Sequence, residues 1–218
     1  NPSLGALKKH SSNIEMLLVL LILIPFVAGL FSFLWKNESV KTWALCTSVV
    51  TLVLAVLACC AQKEAALFYD HNWISSLGAR FTLQAGSMSV VLTLLTTIIY
   101  PVIFITQWNK PLENLPRFIG LMLLSQAGIT GVFLADDLLL FYFFWELALI
   151  PVYFLASTWG GEKRIPVTFK FFIYTFFGSL MMLAGIIYLY LHTETRSFDY
   201  QSIINAGKSL APGGQQVL

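Results

Sequence analysis

Residues 141–151 read "FYFFWELALIP", and Glu146 stands there as a single carboxylate among aromatic and aliphatic side chains. No lysine or arginine adjoins it. Apolar surroundings favour the neutral form of a carboxylate, whereas a cation brought near favours the charged one. A group so placed can take up and release a proton as a partner approaches and withdraws. The bland alternative is a permanently protonated glutamic acid that hydrogen-bonds between helices and carries nothing. Lys170, in "TFKFFIYTFFGS", is the second candidate. It follows Pro166 closely, so ion transfer competes with a long stem that carries the ammonium to a membrane surface. Asp136 and Asp137 precede an apolar run, where a carboxylate caps a helix N-terminus. Leu138, Leu139 and Leu140 follow them, which excludes a metal-binding DDxxD box.

What positions these residues follows from composition. The chain of 218 residues is 57% hydrophobic and 11% charged, less than half the charged share of about 25% in soluble domains. Several apolar runs reach about 20 residues, enough to cross a hydrocarbon core of roughly 30 Å. In lipid an unpaired backbone group costs several kcal/mol, so such runs must be helices. The ten-residue alternation of a membrane barrel is absent. The fold class is therefore all-α, a polytopic transmembrane bundle of about six spans.

The points where charges stop place the spans at about 16–35, 42–61, 88–108, 118–135, 138–159 and 168–191. Residues 1–15 are expected to form an amino-terminal segment, and 16–192 the six-span domain. The longer loop, 62–87, contains "ARFTLQAGS", whose alternation between glycines suits a short strand or hairpin. Residues 193–218 read as a polar connection. Pro25, Pro101 and Pro151 interrupt three spans and predict kinks. The small-residue stretches "SQAGITG" and "GSLMMLAG" predict close helix approach.

Trp35, Trp108 and Trp159 close the odd-numbered spans, as suits the headgroup level of one membrane face. That face also carries Lys36, Lys41, Lys110, Arg117, Lys163 and Arg164. The positive-inside rule makes it cytoplasmic, with the amino terminus and the 62–87 loop outside. Lys8 and Lys9 oppose that orientation. Glu146 then lies roughly 13 Å from one interface, near mid-bilayer. A charge there costs at least ~2.5–3.5 kcal/mol, so such residues face protein or water. Lys170 lies roughly 10 Å away along the membrane normal, which predicts a water-bridged relay rather than a direct ion pair.

Other chemistry is excluded. A net charge of +2 spread over short loops makes no nucleic-acid patch. Cys46, Cys59 and Cys60 fall in one apolar run and suggest neither a disulfide framework nor a zinc site. There is no dinucleotide fingerprint or Walker A motif, no cysteine set for an iron–sulfur cluster and no facing histidine pair. No cofactor and no metal is expected on this chain, and redox chemistry must happen elsewhere.

The strings "FYFFWELALIPVYFLASTWGG" and "VTFKFFIYTFFGSLMMLAG" resemble the antiporter-like membrane subunits of complex I, nearest the chain M (mitochondrial subunit 4) branch. The likeness covers most of residues 16–210. It implies two inverted five-helix repeats within fourteen spans, a setting typical of transport. It also implies that Glu146 matches the fifth-helix glutamate and Lys170 the sixth-helix lysine of the proton path. In that family the glutamate couples to a lysine on a broken seventh helix, which is expected beyond Leu218. This chain would then be an amino-terminal part, with 193–218 leading to that helix.

The function implied is proton translocation in the membrane arm of a respiratory NADH–quinone oxidoreductase, in the bacterial inner membrane. Other membrane-arm subunits and the lipid bilayer would be its partners, and NADH and quinone would bind other subunits. A cation/proton antiporter or membrane-bound hydrogenase subunit is the rival within the superfamily. A non-catalytic membrane scaffold is the rival of another class.

Overall fold

The computed structural model describes residues 2–35, 38–62, 67–193 and 196–209. Among these residues seven helices and one hairpin follow in chain order. They are α1 (Pro2–Ser32), α2 (Val40–Gln62), β1 (Leu67–Ile74), β2 (Ala79–Ala85), α3 (Ser87–Thr106), α4 (Leu115–Leu134), α5 (Leu138–Trp159), α6 (Arg164–His192) and α7 (Tyr200–Ser209). Five of these, α2 to α6, are long and apolar enough to cross a membrane. The first of the six expected spans corresponds to a shorter apolar stretch, Met16–Ser32, within α1.

Several boundaries differ from those read in the sequence, each for a physical reason. The helix expected to begin near residue 16 starts at Pro2 and continues to Ser32. Charges such as Lys8 and Lys9 end the hydrocarbon-compatible part of a helix without ending the helix. Likewise α4 starts at Leu115 with Pro116 in its first turn, and α6 starts at Arg164 with Pro166 close behind. Proline fits an initial turn because the first amides have no intrahelical partner. The tail is also not a plain connection: α7 lies within it, burying Ile203 and Ala206. Asp199 initiates α7, its Oδ2 accepting from the Ser202 amide (3.0 Å) and hydroxyl (3.1 Å). Residues 210–218 lie outside the described residues.

The bundle is centred on α4, which packs most extensively on α1 and α5. In its spanning stretch 56% of residues are buried, against 11% for α6 at the periphery. The "SQAGITG" segment makes the central packing possible. A Cβ placed on Gly128 would lie 2.7 Å from Ala148 Cα on α5, and one on Gly131 would enter the Phe144 ring. By contrast Gly178, in the second small-residue stretch, meets open space. Gly128→Leu is expected to destabilise the bundle by about 3 kcal/mol, at the upper end of overpacking costs, because the obstacle is the Ala148 backbone. A thermal midpoint equal to wild type would refute this close approach.

One apolar cluster joins Leu18, Ala55, Leu83, Leu134, Leu140 and Phe144, so the hairpin packs directly on the helix ends. A second cluster, with Ala28, Val40, Tyr100, Phe104 and Leu123, fills the opposite half. In the hairpin, β1 and β2 pair antiparallel with Asp70 opposite Thr82, and the register is irregular between Asn72 and Ile74. β2 agrees with the strand expected in "ARFTLQAGS", whereas β1 is not evident in the sequence because "LFYDHNWI" lacks clean alternation. Gly78, at φ 66°, closes the 3-10 turn between the strands in the left-handed region.

Two faces of the bundle are thereby defined. The hairpin face also holds the α4–α5 junction and α7. On the opposite face Trp35 stacks on Trp43 with centroids 5.5 Å apart, and the Trp159 indole N–H donates to the Glu113 carbonyl at 3.0 Å. The aromatic residues that close α1, α3 and α5 share that face.

Candidate functional site

Glu146 lies eight residues into α5, about 12 Å along it at the usual helical rise. It is half-buried, and its Oε1 is enclosed with no hydrogen-bond partner. A buried, unpaired carboxylate oxygen is among the costliest groups a fold can hold without a reason. Tyr142, one turn earlier, lies within electrostatic reach of Glu146 and also of the Ser179 hydroxyl on α6. The carboxylate thus faces the α5–α6 seam. Close by, an apolar cleft of about 230 Å³ runs between α4, α5 and α6, with Trp145, Leu149 and Thr175 in its wall.

Lys170 projects from α6 as an exposed residue beyond the buried Thr168. No ion pair joins it to Glu146, in contrast to Lys41 with Glu38 and Arg80 with Asp70. Its neighbours on the same helical stripe, Tyr174 and Phe177, are 77% and 60% exposed. The two sequence-predicted site residues are therefore on adjacent helices without being brought into contact.

A buried polar group at the middle of the bundle escaped the sequence analysis. Gln126 is fully buried and donates from Nε2 to Thr51 Oγ1 at 2.8 Å, while its Oε1 has no partner. The Tyr100 hydroxyl pairs with Ser125 Oγ at 3.2 Å. The hydroxyls of Thr93 and Thr130 are enclosed and unpaired. The signal was present: a glutamine amid a span, in "SQAGITG", is costly in hydrocarbon. By its small residues alone that stretch predicts only close packing.

The α4–α5 junction fixes where α5 begins. Asp137, 2% exposed, caps the helix: Oδ1 accepts from the amides of Leu139 (2.9 Å) and Leu140 (3.0 Å), and Oδ2 from that of Arg80 (3.1 Å). Asp136 does not cap. Its amide donates to the Thr82 carbonyl (2.9 Å), and its carbonyl accepts from Tyr200 (3.3 Å). The junction thus joins the hairpin to the start of α7.

Burial, and then the charges of Asp199 and Asp137, hold the Asp136 carboxyl above the usual carboxylate range. The folded state therefore binds this proton more tightly than the unfolded chain. Stability falls as pH rises through the window above the unfolded value, and the deficit persists at neutral pH. Asp136→Asn is expected to raise the thermal midpoint at neutral pH and to flatten its rise towards acid. A pH series identical to wild type would contradict this.

Helices long and apolar enough to cross a membrane, a hairpin cap and a half-buried carboxylate within a span define a polytopic membrane protein. Residues 135–213 match the family described as NADH:quinone oxidoreductase/Mrp antiporter, transmembrane, and the chain is similar over most of its length to membrane subunits that carry such names. Among its relatives, F(420)H(2) dehydrogenase subunit M of Methanosarcina mazei is 35% identical over 203 residues, covering 89% of this chain and 41% of the relative. NADH-quinone oxidoreductase subunit M of Escherichia coli (strain K12) is 35% identical over 220 residues, covering 89% and 42%. The fold matches a chain of respiratory complex I from Thermus thermophilus with a TM-score of 0.77 at 24% identity, over 87% of this chain and 39% of that one. The chain spans about two fifths of the length of these relatives.

Proposed function

We propose that this chain serves as a proton-translocating membrane-arm subunit of a respiratory oxidoreductase complex of the NADH–quinone class, with Glu146 and Lys170 in the proton path. The observation that carries the reading is the enclosed, unpaired oxygen of Glu146 in the middle of an apolar span. A carboxylate oxygen without a fixed partner is free to meet water or a cation brought to the α5–α6 seam. Redox energy released in partner subunits would reach it as a change in local charge and hydration. Lys170 would pass the proton onward or tune the field from α6, and the gap between the two calls for water between them. NADH, or another electron donor, and quinone would bind other subunits, and this chain would hold no cofactor of its own.

The membrane in this reading is a bacterial inner membrane with the hairpin face outward. The lysine-bearing short loops on the opposite face support that orientation. The family description names Mrp antiporters as well, so a cation/proton antiporter subunit is the rival with the same fold. The test uses the full chain in its assembled complex, reconstituted in vesicles, with lumenal pH followed during redox turnover. Glu146→Ala is expected to abolish most proton movement. Unchanged pumping with normal assembly would overturn the proposal in favour of a structural scaffold.

A further inference from the structure

The face opposite the hairpin carries a polar cleft that the proton path does not use. It lies between the α1–α2 and α3–α4 connections, has a volume of about 390 Å³, and is lined by Glu38, Lys41, Trp108, Asn109, Lys110 and Pro111. Aromatic rings fix its level. Trp108 lines it, the Trp35–Trp43 stack flanks the start of α2, and Trp159 is tied to Glu113 in the α3–α4 connection. Tryptophans gathered at the helix ends of one face mark the headgroup region of a bilayer.

Lys41 is unusual for a lysine at such a place. Its side chain is only 18% exposed, and it shares a narrow crevice with Phe104, Leu115, Phe118 and Ile119 of α3 and α4. The ammonium therefore reaches the cleft on a stem already immobilised by packing, so little side-chain entropy remains to be lost on binding. Its partner, Glu38 at 3.3 Å, has a side chain that is 87% exposed. A pair with one solvated member is worth little, and it leaves most of the positive charge unanswered. Lys110, on the other wall, adds a second cation, and Asn109 adds neutral hydrogen-bonding capacity. Two lysines against one solvated carboxylate call for an anion.

The surface along α3 below the cleft says which anion. Val102 and Ile105, one to two turns before Trp108, are 54% and 58% exposed. Spaced three residues apart near the end of α3, they form an exposed apolar strip on the membrane side of Trp108. A soluble phosphate would meet the two ammonium groups and leave the strip unused. A phospholipid would satisfy both at once. We propose that this cleft binds the phosphodiester of an anionic phospholipid, with Lys41 and Lys110 on the phosphate and an acyl chain along Val102 and Ile105. Lysine suits the task as a point charge for phosphate, and basic pockets between transmembrane helices are where lipid headgroups are recognised.

The experiment uses the assembled complex carrying the full chain, reconstituted in phosphatidylcholine vesicles with or without phosphatidylglycerol. Lysines are acylated with an uncharged reagent, and the rate at each is read by peptide mass spectrometry. Occupancy of the site is expected to slow acylation of Lys41 and Lys110 at least about fivefold when phosphatidylglycerol is present, as for a ligand well above its dissociation constant. Lys163, exposed on the same face outside the cleft, reports the general surface potential and is expected to change less than about twofold. Lys110→Gln alters an exposed loop residue and is expected to remove most of the protection at Lys41. Equal protection at Lys163 would overturn the site in favour of a diffuse surface effect. Equal protection by inorganic phosphate in pure phosphatidylcholine would overturn the lipid assignment in favour of a free-anion site. Protection of Lys41 that survives Lys110→Gln would remove Lys110 from the site and overturn the two-lysine arrangement.

Discussion

Glu146→Gln, in the fully assembled complex, is expected to lower proton movement per redox turnover by about tenfold or more, while helix content and assembly stay at wild-type levels. Glutamine has the same shape and keeps a hydrogen-bonding oxygen beside Tyr142, so the α5–α6 seam loses no packing. What it loses is an exchangeable proton. If the glutamic acid were only a permanent hydrogen-bonding group, glutamine would replace it almost without cost, since a net hydrogen bond is worth about 0.5–1.5 kcal/mol. If it titrates, the path is cut at that point however well the neighbours pack. Glu146→Asp separates the two ideas further. It keeps the proton but withdraws the carboxyl by about 1.5 Å, one methylene, and should retain part of the flux. The measurement is lumenal acidification against electron transfer in the same vesicles. Full flux in the glutamine variant would leave Glu146 a structural residue.

The features legible in the sequence are those that the bilayer imposes strongly. The apolar runs at 42–61, 88–108 and 138–159 could hardly be anything but helices, and α2, α3 and α5 begin and end within about two residues of them. Glu146 was legible for the same reason, because one charged letter in a hydrocarbon-length run is conspicuous. What could not be read depends on contacts between distant segments. β1 is a strand because β2 and the ends of the helices cover one side of it, as Leu67 and Leu83 in the same buried cluster attest, and no alternation in "LFYDHNWI" announces that. α7 was missed because its apolar stripe is only a few residues long, within a tail rich in polar residues. Gln126 was visible as a letter, but its partner Thr51 lies 75 positions away.

Lys170 illustrates a different limit. The sequence placed it in the sixth span, where α6 does contain it, yet a single span cannot say which way a side chain points. In the structure it lies on the open side of α6, on the stripe with Tyr174 and Phe177, where the helix is least covered. An ammonium within a span is tolerated next to protein or water and is costly against hydrocarbon. The exposed stripe of α6 is accordingly a surface that a protein neighbour should cover. Glu146 needs no such neighbour to be enclosed, since its own α5–α6 seam already holds it.

The other large effect is expected far from the membrane centre. Asp137→Ala should destabilise the assembled subunit by roughly 2–4 kcal/mol: about 1 for the lost helix cap and about 1–3 for the amide left unpaired in a buried junction. The carboxylate answers three amides at once, two at the start of α5 and one on β2. No other described side chain joins the helix to the hairpin in that way. Burial holds the Asp137 carboxyl above its usual range, and the three donated hydrogen bonds only partly offset it. The charge itself is therefore a net cost, and the acceptor oxygens are what the junction needs. Asp137→Asn keeps one acceptor oxygen and removes the charge, so it should lie much nearer to wild type than the alanine variant. The consequence extends to Glu146, whose position along the seam is set by where α5 starts, so Asp137→Ala should also reduce proton flux in the complexes that still assemble. Thermal midpoints of the two variants, measured beside flux, test both steps. Equal losses for alanine and asparagine would mean that the charge holds the junction, contrary to the argument from burial.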